Sequence, residues 1–380
     1  MKINIHHYAA VLLLSTFSLL PSALLAQGSL TPPGAPAPTM KTLDQIEART
    51  PISSAPFTIS VPGSYYLTTN LTVSAGDAIT IATNGVSLDL NGFTITSTAP
   101  SATGYGILIN TGLRNLTIMN GFIQGGVTNN GGVYTGSGFG SGIYGNPQNT
   151  RVSSVSVSGC LNYGIDLGVG NSTVAESCTV SAIGFYGIVA SGIKASVAMD
   201  CAFNAIFGNE VSDSRGQCTG SGSGINATTA QNCYGYSNSG VGLSALTAQN
   251  CYGRSFSSTG LNANTVQNCY GETSSGSYGL YAGLAAIDCY GLCLTSGTGV
   301  WAFLAINCYG ETSSGTGLTA TSAQNCHGQS SSGTGLVAYH IAIGCDGLSS
   351  TGKGLDAFIA NSCYGSGTIS NTISHPYNMP

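Results

Sequence analysis

The sequence predicts an all-β chain wound as a parallel β-solenoid, with one short coil per repeat. Two repeated phrases and an unusual composition lead to that reading. The first phrase is a small residue, a spacer, a turn-type residue, then Cys, usually Tyr, and Gly, and it is written eight times between Ala230 and Gly365. Its cysteines, Cys233, Cys251, Cys269, Cys289, Cys308, Cys326, Cys345 and Cys363, follow one another at 18, 18, 20, 19, 18, 19 and 18 residues. The second phrase, Gly followed by Leu, Ile or Val, any residue and Ala, falls between them, as at Gly242–Ala245, Gly260–Ala263 and Gly317–Ala320. Such a period is too short for a helix pair with its turns, and it suits one coil of short strands joined by tight corners. Composition agrees. Only 6% of residues are charged while 42% are hydrophobic, and Gly accounts for 55 of 380; an ordinary domain carries about 25% charge, and a disordered chain would be polar and highly charged.

Taken in order, Met1 to Ala26 has the pattern of a cleavable secretory signal, with Lys2 in front, an apolar core beginning at Ala9 to Leu14, and Ala26 at the cut. Pro21 and the polar residues near it break the run before it could span a bilayer. No later apolar segment is long enough to do so. The expected location is secreted, extracellular or periplasmic, with no membrane span in the mature chain. Without Lys2 the 9 basic residues become 8 against 14 acidic, a net charge of −6, which argues against nucleic acid as a partner. Residues 27–41, with Pro32, Pro33, Pro36 and Pro38, read as an extended linker. Thr42 to Arg49 reads as a short N-terminal capping helix, with Thr42 and Gln45 as a capping box. Together with Phe57 to Leu71 it is expected to cover the first coil, because an open strand edge invites pairing. The solenoid is then expected over 42–365, cap 42–72 included, leaving 366–380 as a C-terminal tail.

The first regular strands carry a more specific signal. Val86-Ser87-Leu88-Asp89-Leu90-Asn91-Gly92-Phe93-Thr94-Ile95 alternates apolar and polar, breaks at Asn-Gly and resumes, and Leu116 to Ile123 repeats it one long coil later. With Pro62-Gly63-Ser64-Tyr65-Tyr66-Leu67 before it and Gly-Ile/Leu-x-Ala coils after it, this string resembles secreted bacterial right-handed parallel β-helix repeat proteins of the pectin-lyase-like superfamily. The resemblance covers about residues 43–365. It implies a right-handed coil and an asparagine ladder along one corner. It selects no activity, since that scaffold hosts lyases, hydrolases, adhesins and inert spacers.

The corners and faces follow from residue chemistry. The residue before each repeated Cys is Asn232, Asn250, Asn268, Asp288, Asn307, Asn325, Gly344 or Ser362. Asn, Asp and Gly tolerate a left-handed backbone at low cost, so a one-residue bend is expected there. A polar binding row is the functional alternative, but turn chemistry explains the row without it. Strand alternation then turns each Cys inward, each Tyr outward and each Gly back over the core. The reverse assignment would bury a column of phenol hydroxyls in need of partners. Thirteen cysteines in a secreted chain raise a disulfide alternative. In-register cysteines on parallel strands, however, have Cβ vectors that run parallel and meet the bridge geometry badly. A reduced, buried thiol ladder is expected, with Cys293 in a corner loop as an exposed exception. Cys326 and His327 point to opposite sides of one strand, so neither zinc nor any other cofactor is expected.

The x position of Gly-Leu-x-Ala faces outward, and it is there that chemistry would sit. Lyases of the resembled superfamily use several acidic residues for calcium with an Arg or Lys base, and its hydrolases use a cluster of aspartates. Asp166 and Asp356 on this row are many coils apart and cannot act as a pair over one bond. His327 and Asp346 are rung neighbours with no nucleophile beside them. Arg254 and Glu272 are placed for a surface ion pair. No catalytic residue is assigned. Tyr281 and Trp301, on adjacent coils, are the candidate carbohydrate-binding residues, with Asn262 before them and Thr319 after them to supply hydrogen bonds. Stacking of the two rings on each other is the plainer alternative. The expected function is a non-catalytic rod with a structural, adhesive or surface-recognition role, roughly fourteen coils and about 65 Å long at about 4.8 Å per coil. The alternative is a polysaccharide-binding or polysaccharide-cleaving protein, and an extracellular polysaccharide or cell-surface component is the expected partner.

Overall fold

The computed structural model describes residues 47–368 and 371–378. The expected signal and linker lie outside the described residues, as does the capping helix except for Glu47 to Arg49, which are not helical. From Thr50 to Tyr377 the chain is an all-β parallel β-solenoid of about 17 turns. That exceeds the fourteen coils expected, because both flanks belong to it. Phe57–Ile59, Gly63–Leu67 and Leu71–Val73, in the stretch expected to cover the first coil, are themselves coil strands and pair in parallel with Ile79–Ile81, Val86–Asp89 and Thr94–Ser97. Thr372–Tyr377, expected as tail, pairs in parallel with Leu355–Asn361. Both stretches alternate weakly, and only the register of the neighbouring coil reveals their place.

One regular coil shows how the two phrases fold. Leu261–Gln267 is a strand, Asn268 turns the corner with φ of 51°, and after Cys269 the strand Tyr270–Thr273 leads into a loop returning to Gly279. The longer strand bends at its middle. In the preceding coil it is split into Leu243–Ser244 and Thr247–Gln249, and in later coils the register slips by a residue at the same place. Each coil therefore presents a first face before the bend, a second face after it, and a third face on the Tyr-Gly strand.

All eight corners lie in the left-handed region, with φ between 51° and 60°. Their side chains then line up along the axis. Asn232 Nδ2 donates to Asp213 Oδ1 at 2.9 Å, Asn250 Nδ2 to Asn232 Oδ1 at 3.2 Å, and Asn307 Nδ2 to Asp288 Oδ1 at 3.0 Å. An alanine pays the left-handed penalty and loses the ladder, whereas glycine loses only the ladder. Asn250→Ala is thus expected to destabilise the solenoid by about 1–2 kcal/mol, and Asn250→Gly by well under half of that. Denaturant midpoints of the two variants check the order, and equal losses would remove the backbone from the explanation.

Inside, the columns are narrow: Leu or Val and Ala from the first face, Ala or Val from the second, then Cys, Gly and Ser or Thr from the third. The glycines allow two walls to meet backbone to backbone. A Cβ on Gly235 would lie 2.3 Å from Gly242 O, and one on Gly242 would lie 2.4 Å from Arg254 N. The hydroxyl column fastens the return loop. Ser237 Oγ donates to Gly222 O at 2.7 Å and accepts the N–H of Gly240 at 2.9 Å, and Ser349 Oγ repeats this with Gly333 O and Gly352 N–H.

All thirteen cysteines are free and buried. Cys293 corrects the sequence reading. It is 0% exposed, in register with Thr273 and Thr312, and so a member of the hydroxyl column. Its Sγ lies 3.5 Å from Gly276 O, taking the place of the usual Ser or Thr contact. Cys293 ends the strand Tyr290–Cys293 and does not lie in a corner loop, and alternation then points its side chain inward. One insertion also leaves the solenoid. Gly126–Asn130 and Val133–Ser137 form an antiparallel hairpin, whose Tyr134 hydroxyl donates to Asp200 Oδ1 at 2.6 Å and meets Thr219 Oγ1 at 2.7 Å. The Gly131-Gly132 pair that turns between its strands, with φ of 64° and 97°, is the hairpin signal that could have announced it.

Candidate functional surface

The third face carries an aromatic row. Tyr234, Tyr252, Tyr270, Tyr290, Tyr309 and His327 stand in register on successive coils. Ring centroids are 4.7–4.9 Å apart from Tyr252 to His327, with interplanar angles of 11–26°, while Tyr234 meets Tyr252 edge-on at 5.1 Å. Arg215 closes one end, its guanidinium 5.0 Å from the centre of the Tyr234 ring. The phenols reach outward to the neighbouring row. Tyr290 OH donates to Glu311 Oε2 at 2.7 Å, Tyr309 OH to Gln329 Oε1 at 2.8 Å, and Tyr252 OH to Glu272. Glu272 is also held by Arg254 Nε at 3.2 Å. Burial and the Glu272 carboxylate together push the Tyr270 phenol up to about 12, so it keeps its proton across the physiological range.

Between this row and the corner ladder runs a groove of about 1060 Å³ along the axis. One wall is Asp213, Asn232, Asn250, Asn268, Asp288 and Asn307; the other is Arg215, Tyr234, Tyr252, Tyr270 and Tyr290. The cysteine positions between them form its floor, while their side chains stay inside. From Ala195 to Asn307 the groove crosses seven corners, about 29 Å at about 4.8 Å per rung. Hydrogen-bonding amides on one side and ring edges on the other recur in coil after coil.

The residues singled out from sequence lie elsewhere, on the first face. Tyr281 and Trp301 are in register, with ring centroids 4.6 Å apart and planes 7° from parallel. Each ring thus spends one face on the other. Asn262 is half-buried on the rung beside Tyr281. Thr319 is only 6% exposed, because it is the short member of a row between Trp301 and Val337. It cannot offer the hydrogen-bonding end of a patch that the sequence suggested. The alternation rule gives the direction of a side chain but not the height of its neighbours, and that height decides access here.

The carboxylates stay dispersed. Asp213 and Asp288 in the groove wall are four rungs apart, about 19 Å, beyond the separation over which two carboxyl groups act on one bond. Asp166 lies near the other end of the solenoid, in a smaller hollow of about 720 Å³ with Tyr144 and Asn146, and burial raises its pKa above the usual carboxylate value. His327 Nδ1 is 4.0 Å from Asp346 Oδ2, and the ring stacks on Tyr309. Among the described residues no three His, Cys, Asp or Glu side chains converge as a metal site. Comparison with protein-family models, with curated proteins and with solved structures found no match.

Proposed function

We propose that this chain is a secreted, non-catalytic rod of the pectin-lyase-like type that recognises an extended extracellular polysaccharide along the groove between its asparagine and tyrosine rows. The observation that carries this reading is the periodicity of the groove. Its two walls repeat from coil to coil, so a ligand with a repeating unit meets the same amides and ring edges many times. Catalysis instead acts at one bond and needs a local convergence of acid, base or metal ligands. The secretory pattern of Met1 to Ala26 supports an extracellular setting. The choice of the third face over the first rests on what the rings border. Both sets of rings stack, but only the tyrosine row borders an open channel of polymer length.

An array of linear polysaccharides probed with the purified chain tests the proposal. The Tyr270→Ala, Tyr290→Ala double variant is expected to weaken binding by about tenfold or more, equivalent to about 1.4 kcal/mol. Trp301→Ala is expected to leave binding unchanged. The converse result would move the site to the first face. Release of unsaturated or reducing fragments from the bound polymer would make the protein an enzyme.

A further inference from the structure

The second face changes character along the axis. Its two outward rows begin as Thr229 and Gln231, Thr247 and Gln249, Thr265 and Gln267. In register with these, later coils place Ala285 and Ile287, Leu304 and Ile306, then the polar pair Ser322 and Gln324, then Ile341 and Ile343. The bend beside them is exposed and largely apolar: Leu284, Phe303, Tyr339 and Phe358 are 59%, 56%, 61% and 50% exposed, with Thr321 and the exposed His340 as its polar members. No Asp, Glu, Lys or Arg stands on the strands of this face between Leu284 and Asn361. The core does not need these side chains, since alternation already turns the alanines inward. Six side chains that expose 36–61% of their surface amount to about 600 Å² of apolar area, the upper end of what a monomer leaves uncovered.

We propose that this face is the interface of a two-fold symmetric dimer, occupied by a second copy of the same chain. Area and shape both favour a second copy. Two such faces together bury about 1,200 Å², which reaches the range of specific, stable interfaces. The profile along the bend is also self-complementary. Phe303 and Tyr339 flank a coil that carries the short Thr321, which leaves a step between two large rings. A two-fold axis between the rungs of Thr321 and Tyr339 sets Tyr339 of each copy into the other's step. The same axis sets Phe303 of each copy against Phe358 of the other, as an isologous contact requires. The groove runs from Ala195 to Asn307, so only its end, at Asp288 and Asn307, lies beside this contact.

Sedimentation equilibrium of the purified chain tests this, with circular dichroism confirming that each variant keeps its β-rich spectrum. The wild type is expected to be a dimer at about 10 μM, and Phe303→Asp and Thr321→Arg to weaken association by about tenfold or more each. Thr321→Arg fills the step without removing an apolar residue, so it separates the proposed fit from mere loss of hydrophobic surface. Leu246→Asp, on the same bend but outside the contact, is expected to leave the dimer intact. A monomeric wild type overturns the proposal, as does a dimer that survives both substitutions. Flotation of a monomeric wild type with phosphatidylcholine vesicles, lost in Phe303→Asp, would assign the face to lipid instead.

Discussion

Replacing Gly253 by alanine is expected to destabilise the solenoid by about 3 kcal/mol, the top of the usual range for overpacking. The added Cβ would lie 2.4 Å from the carbonyl oxygen of Gly260 and 2.9 Å from the Cβ of Leu261. The nearest atom is backbone, so no rotamer change relieves the clash. The two strands would have to separate, and they are held by parallel pairing on both sides. Gly92→Ala is the matched control. Its φ is 78° and nothing lies within 4 Å of the new Cβ. The loss there comes from backbone conformation alone, about 1–2 kcal/mol. Denaturation midpoints that rank Gly253→Ala at or below Gly92→Ala would show that the facing walls can part cheaply. The close approach of the glycine columns would then not be what holds the cross-section.

The second large effect is expected at alkaline pH. Burial pushes the Cys160 thiol up to about 12 and raises those of Cys178, Cys201 and Cys218 above the ordinary value. In the unfolded chain each thiol ionises near about 8.5. The folded state therefore holds protons that the unfolded state has released, and stability falls as pH rises between the two values. The stabilisation is complete below about pH 8.5, and each thiol loses about 1.4 kcal/mol per pH unit above it until its folded pKa is passed. Denaturant unfolding under reducing conditions at about pH 8 and pH 10 should show a marked drop in midpoint, with a smaller drop for Cys160→Ala. A midpoint independent of pH over that interval would mean that these thiols are not shielded from solvent.

The corner chemistry was legible before any coordinates because it is local. A left-handed residue every 18 to 20 positions favours Asn, Asp or Gly, and the repeated stretch supplies one of these types at seven of its eight corners, Ser362 being the eighth. The placement of Cys inside and Tyr outside was legible for a similar reason, since a strand alternates with a period of two residues. Cys293 shows the limit of that rule. Alternation applied to it equally, but whether the chain at 293 is still strand depends on pairing with Thr273 and Thr312, which are 20 and 19 residues away. The same limit hid the strand nature of Phe57–Ile59 and Thr372–Tyr377, whose own patterns are weak and whose partners lie in the next coil.

From the order of its residues alone, then, this chain determined its coil length, its turning points and which side chains enter the core, because each depends on backbone preferences spanning a few neighbours. Tertiary structure decided what the outward side chains can do, because their access depends on the height of the residues one rung away. Thr319 is covered by its neighbours on the rungs either side, and Tyr281 and Trp301 cover each other. The rings of the tyrosine row stack on one another and at the same time border the groove. Lateral register between coils, together with the bend that shifts it by a residue, also gathers Leu284, Phe303, Tyr339 and Phe358 on one edge. That gathering comes from parallel hydrogen bonding across turns of the solenoid, an interaction between segments far apart in sequence that no local preference encodes.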